Sequence, residues 1–103
     1  MAMNEQETAL VVHAIETGIK TGGESSKNKD IAQAFRLLRT ILFDCFKSEY
    51  KPGVDILLDF LKSSDLSSTQ LAAAVAMLGK YRRSEIISCA KRLLLLISAS
   101  PDT

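Results

Sequence analysis

An apolar pattern of helical period between residues 31 and 46 constrains the fold of this chain most. A spacing of about 3.6 residues puts such side chains on one face of an α-helix, whereas a strand needs strict alternation. The segment therefore predicts an amphipathic helix capped by Asn28 and ending near Tyr50. Leu37 and Phe43 fall outside the stripe on opposite sides, so we expect a central helix with several neighbours. The stripe consists of Ile31, Ala34, Phe35, Leu38, Ile41, Leu42, Cys45 and Phe46.

Two capping boxes predict where other helices begin. Asn4 precedes Glu7 by three residues, and Ser67 precedes Gln70 by three. At this spacing the side chain of each residue accepts a hydrogen bond from the other's backbone N–H. The first box predicts a helix to about Thr21, and the second predicts an alanine-rich helix over residues 69–78.

Two further helices complete the prediction. A shorter helix is expected over residues 54–62, after the break at Pro52-Gly53, and a last helix runs from a Ser84 cap to about Ser98. The last two helices are separate if the helix stops at Gly79, and they form one kinked rod if it continues through Gly79. We therefore predict an all-α fold, a compact bundle of four to five helices.

One domain is expected, because a chain of 103 residues has the usual size of a single domain. It spans residues 1–103, with fraying at residues 1–3 and 99–103. The polar stretch over residues 22–28 is predicted to be a mobile loop.

The charges alternate in blocks although the net charge is only +1. Residues 1–24 are acidic on balance, residues 25–51 basic, residues 52–66 acidic and residues 67–103 basic. Blocks of this kind favour helix faces that dock on one another over a dedicated ligand site.

Catalytic and metal chemistry have little support in the sequence. His13 is the only histidine, and helical spacing turns it towards water. With Cys45 and Cys89 far apart, no set of four zinc ligands is present. Asp55 and Asp59 share a helix face, but nothing near them would separate their pKa values for acid–base work. We predict no enzyme activity, no catalytic residues, no cofactor, no bound metal and no small-molecule substrate.

Targeting signals are also missing from the sequence. The acidic start "MAMNEQETAL" has neither a basic region nor an apolar core, and the apolar run at residues 93–97 is too short to span a membrane. The predicted location is therefore the cytoplasm, without a membrane partner.

The segment "MLGKYRRSEII", residues 77–87, allows two interpretations. Its long basic side chains could cover helix ends and keep an apolar region hydrated. Alternatively, this region binds phosphates of a nucleic acid, in a helix-turn-helix-like arrangement with its turn at Gly79. The residues predicted for phosphate binding are Lys80, Tyr81, Arg82, Arg83, Lys91 and Arg92.

A protein interface is the favoured function. Leu95 projects away from the inner face of its helix, and Leu37 and Phe43 lie off the core stripe of theirs. Such side chains are covered either by another helix of the same chain or by another molecule. Exposed apolar patches with arginine around them are typical of association sites. We predict a small helical interaction module, binding a protein partner or itself as a homo-oligomer, through Leu37, Phe43, Arg36, Arg39 and Leu95.

Overall fold

A computed structural model describes residues 2–48 and 67–100 of the chain. These residues form three α-helices, α1 (Glu5–Lys20), α2 (Lys29–Ser48) and α3 (Ser68–Ala99). The all-α class is confirmed, but the described residues form three helices rather than four or five. The helix predicted over residues 54–62 lies outside the described residues.

Three of the predicted helix starts, at Asn4, Asn28 and Ser67, are confirmed. Asn4 Oδ1 accepts the backbone N–H of Glu7 at 2.8 Å, and the Glu7 carboxylate accepts that of Asn4 at 3.1 Å. Ser67 and Gln70 form the same reciprocal pair at the start of α3. Asn28 Oδ1 accepts the backbone N–H groups two and three residues later, at 3.0 and 3.3 Å. Each pair satisfies backbone donors that the first turn of a helix leaves without partners.

A glycine pair follows the end of α1. Gly22 has a φ of 106° and Gly23 a φ of 58°, a left-handed conformation that residues with a Cβ rarely adopt. The stretch predicted to be a mobile loop contains a short 3-10 helix, Gly23–Ser25. At the other end of α1, Met3 lies in the segment predicted to fray, but it is buried.

Helix α3 bends at Arg82, whose φ of −135° and ψ of 45° are not helical. The two helices that the sequence divides near Gly79 are therefore one kinked helix, with an N-terminal arm (residues 68–81) and a C-terminal arm (residues 83–99). Ser84 is not an N-cap, because it lies inside the helix. Gly79 is buried instead, and a Cβ there would lie 2.5 Å from Met3 Cγ.

The bend reverses the direction of α3 relative to α1. In the N-terminal arm, Ser68 Oγ donates to Glu16 at 2.5 Å and Gly79 packs on Met3, so this arm runs antiparallel to α1. In the C-terminal arm, Arg83 bonds to Glu7 and Leu93 packs against Gly18, so it runs parallel to α1. A straight helix of 32 residues would be about 48 Å long, longer than the 38 Å main axis of the molecule.

Among the described elements α3, and not α2 as predicted, is central. It packs against α1 and α2, which barely touch each other. The apolar stripe predicted for α2 is fully buried, as predicted, and contributes to one continuous core. The radius of gyration is 12.6 Å, close to the ~13 Å expected of a compact chain of this length. The largest fully buried side chains are Ile15, Ile31, Leu38, Leu42, Leu71, Leu78, Ile86 and Leu93.

Candidate functional site

Arg82, at the bend of α3, is held by two carboxylates. Its Nε and Nη2 donate to the two carboxylate oxygens of Glu85 at 2.9 and 2.5 Å, and its Nη1 donates to Asp44 on α2 at 3.1 Å. The hydrogen bonds to Glu85 and then to Asp44 raise the pKa of Arg82 above its usual value. In return, Arg82 lowers the pKa of Glu85.

Arg83 binds the other neighbouring helix, α1. Its Nε donates to Glu7 Oε1 on α1 at 3.1 Å, and its Nη2 donates to the other carboxylate oxygen. Hydrogen bonds from Arg83 and from the backbone of Asn4 lower the pKa of Glu7. The two adjacent arginines thus tie the bend to α2 through one side chain and to α1 through the other.

These contacts indicate a structural role for the arginines of the basic segment. Phosphates that approached Arg82 or Arg83 would have to replace carboxylates already bound in bidentate pairs. Lys80 Nζ lies 5.0 Å from the ring centroid of its neighbour Tyr81, which is 41% exposed. The helix continues through Gly79, where the turn of a helix-turn-helix was predicted.

The other predicted phosphate-binding residues lie on the C-terminal arm of α3. Lys91 and Arg92 are exposed there, and within residues 2–48 and 67–100 neither forms an ion pair. Leu95 lies beside them and is 70% exposed, which confirms that it points away from the core. We call this surface the Leu95 stripe; it consists of Ser88, Lys91, Arg92, Leu95 and Ser98, all exposed.

The predicted interface residues of α2 do not form one patch. Leu37 is 50% exposed, but Phe43 is only partly exposed, with Lys47 Nζ 5.3 Å from its ring centroid. Leu37 and Phe43 project about 120° apart on the helix. Arg39 pairs with Glu24 in the loop before α2, whereas Arg36 is exposed. Phe43 and Arg39 therefore have contacts within the monomer that the sequence does not reveal.

An open groove of about 640 Å³ runs between α1 and the N-terminal arm of α3. Its surface is mainly apolar, with alanines from both helices, and the described residues that line it include Glu5 and Glu16 but no lysine or arginine. Ala9 and Ala73 are exposed within it. We call it the α1–α3 groove; its residues are Met3, Glu5, Thr8, Ala9, Val12, His13, Glu16, Ser68, Thr69, Ala72, Ala73 and Ala76.

The sequence signal for this groove is the run of alanines in α3. The alanines over residues 72–76 predict that a neighbouring helix approaches closely. Helix α1 is that neighbour, but it does not cover Ala73. The side that is left open depends on the angle between α1 and α3, which no local pattern specifies.

The remaining candidate residues are the two cysteines and His13. Cys45 and Cys89 are buried free thiols, and burial raises the pKa of both. Cys89 Sγ donates to the carbonyl oxygen of Ala34 at 3.4 Å. His13 is exposed, as predicted. No group of three or more metal-binding side chains occurs within residues 2–48 and 67–100.

Two further findings bear on function. None of the three described helices combines the length and apolar character that a membrane span requires. Comparison of the chain with protein-family models, with curated proteins and with solved structures finds no match.

Proposed function

We propose that this protein is a helical protein–protein interaction module that binds an amphipathic helix in the α1–α3 groove. The observation that carries the proposal is the groove itself, an apolar surface of about 640 Å³ between two helices. Helix-in-groove docking uses such surfaces, with apolar anchors entering the groove and polar residues at its edges.

The shape of the groove favours a helix over a small molecule. Small-molecule sites enclose most of the surface of their ligand. Where the described residues line it, the α1–α3 groove is open to solvent, and its alanines allow close approach of another backbone. A helix laid along it would bury its apolar face while its polar face stays in water.

The charges of the groove favour a basic partner. Among the described residues that line it, Glu5 and Glu16 are acidic and none is a lysine or an arginine. Complementary charge at the rim of an interface speeds association and selects partners more than it adds affinity. The expected ligand is therefore an amphipathic helix with apolar residues on one face and lysine or arginine beside them.

The nucleic-acid alternative has less support. Four of its six predicted residues lie at the bend of α3, where Arg82 and Arg83 bond to carboxylates of α1, α2 and α3. No observation on the described residues favours phosphate binding over these contacts.

A peptide titration tests the proposal. The probe is a fluorescent peptide of about five helical turns, with leucines on one face and lysines on the other, and fluorescence anisotropy measures its binding. Ala73→Arg fills the groove from an exposed position and should weaken binding by roughly tenfold or more. Gln33→Arg, an equal charge change at an exposed site of α2, should have little effect. Equal weakening by both variants, or no saturable binding, would contradict the proposal.

A further inference from the structure

We infer that the helix bound in the α1–α3 groove is the C-terminal arm of α3 from a second copy of this chain, docked through its Leu95 stripe. This inference rests on the proposed function and specifies the partner. Each copy then carries both surfaces of the interface, the α1–α3 groove and the Leu95 stripe.

The two surfaces match in shape. Leu95 stands out from its helix at 70% exposure, and its neighbours Ser88 and Ser98 are small, so a second helix can come close on either side. Across the interface, Ala9 and Ala73 leave space for one large side chain. A large residue that enters a hole lined by small ones is the packing found between helices in coiled coils.

The two surfaces also match in charge. Lys91 and Arg92 flank Leu95 on the stripe, and within the described residues they form no ion pair. Glu5 and Glu16 lie on the rim of the groove. An approaching stripe therefore brings positive charge towards an acidic groove, which would set orientation and increase the association rate.

The groove and the Leu95 stripe of one copy cannot contact each other. Ala9 and Glu16, in the groove, lie about 180° around α1 from Gly18 and Glu7, which contact the C-terminal arm. The groove and the arm are thus on opposite sides of α1, and Leu95 points away from the core. Contacts between unlike surfaces are heterologous, so copies add head to tail and form rings or open chains.

Mixing two variants tests this arrangement by sedimentation velocity. Ala73→Arg blocks the groove and keeps the stripe, whereas Leu95→Asp disrupts the stripe and keeps the groove. Both positions are exposed, so circular dichroism should show intact folding. Thr40→Asp, at an exposed site of α2, is the charge control for Leu95→Asp.

The expected pattern is specific to a head-to-tail contact. Wild type and Thr40→Asp should grow beyond dimers as concentration rises, and each groove or stripe variant alone should stay monomeric. An equimolar mixture of Ala73→Arg and Leu95→Asp should form a 1:1 complex, because one copy supplies the groove and the other the stripe.

Two outcomes would overturn the inference. One is a wild type that remains monomeric up to millimolar concentration. The other is a wild type that stops at dimers while the two variants fail to associate, which indicates a two-fold contact. The basic peptide distinguishes this failure from a failure of the proposed function. If Ala73→Arg abolishes peptide binding and Leu95→Asp does not, the groove is a docking site for another protein. Without peptide binding, both proposals fail.

Discussion

At the scale of single residues, Gly18 and Gly79 lie in close contacts that leave little room for a side chain. A Cβ at Gly18 would lie 2.6 Å from Phe35 Cδ2 and 3.2 Å from Leu93 Cδ2. The three atoms nearest to a Cβ at Gly79 would all belong to Met3, with Cγ at 2.5 Å. The ring of Phe35 is fixed in the core, whereas Met3 is an unbranched side chain near the chain terminus that can adopt other rotamers.

We therefore expect Gly18→Ala to be the more damaging substitution. It should lower the free energy of unfolding by about 1–3 kcal/mol through overpacking. Gly79→Ala should cost less, because Met3 can move and alanine gains up to ~1 kcal/mol of helix propensity over glycine. Urea denaturation of both variants measures the difference. A larger loss in Gly79→Ala would show that the contact with Met3 is the rigid one.

Glu7 makes the stability of the fold depend on pH. Its folded-state pKa is lowered by Arg83, so its contribution is present above the unfolded pKa of about 4.3 and is lost as the pH falls through the folded value. Glu7→Gln keeps an oxygen for the capping box but removes the charge. The variant should be less stable than wild type at pH 7, and the difference should shrink below about pH 4.

Denaturation curves across this pH range check the prediction. Glu5→Gln, in the same first turn of α1, is the matched control, because Glu5 is exposed and has no ion pair within the described residues. Identical pH profiles for the two variants would mean that the ion pair with Arg83 does not stabilise the fold.

At the scale of elements, the bend of α3 determines the arrangement of the helices. A straight α3 would separate residues 69 and 98 by about 44 Å. In the bent helix both positions lie near the C-terminal end of α1, because Ser68 bonds to Glu16 and Leu93 packs on Gly18. Spin labels at Thr69→Cys and Ser98→Cys, with Cys45 and Cys89 replaced by alanine, should report less than about 30 Å, the width of three adjacent helices. A distance above 40 Å would contradict the bend.

Element starts were predictable from the sequence, because capping is local. Asn4, Asn28 and Ser67 each bond to backbone groups within three residues, so the signal and its effect lie in one turn. The buried stripe of α2 was predictable for a similar reason, since helical periodicity alone fixes which side chains share a face.

The bend was misplaced because its cause is tertiary. A glycine inside a helix suggests a hinge. At Gly79, however, the absence of a side chain leaves space for Met3. The bend lies at Arg82, where no proline or glycine marks it, and partners on α2 and α1 hold Arg82 and Arg83. The exposure of Leu95 followed from periodicity, whereas the α1–α3 groove depends on how two distant helices cross.

At the scale of the whole molecule, the charge blocks connect the helices. The acidic first block meets the basic second and last blocks through the pairs Glu24–Arg39 and Glu7–Arg83. Asp44, an acid within the basic block of residues 25–51, pairs with Arg82, so much of the positive charge near the bend is neutralised. This agrees with the interpretation that such blocks reflect docking between helices.

Binding to nucleic acid should accordingly be weak. A surface that neutralises several phosphates of duplex DNA would lower log affinity by about 0.9 per phosphate for each unit of log salt. We expect no such slope for DNA or RNA at two salt concentrations. A slope of about −3 or steeper that disappears in an Arg82→Ala, Arg83→Ala double variant would show instead that the bend binds phosphates.

Locating the bound peptide on the protein tests the central claim most directly. Amide chemical shifts of the isotope-labelled chain would be recorded as the leucine–lysine peptide is added. If the α1–α3 groove is the docking surface, the largest saturable changes will fall on Ala9, His13, Ala73 and Ala76. Changes centred on Arg82 and Arg83, or on Leu37 and Phe43, or no saturable change at millimolar peptide, would contradict it.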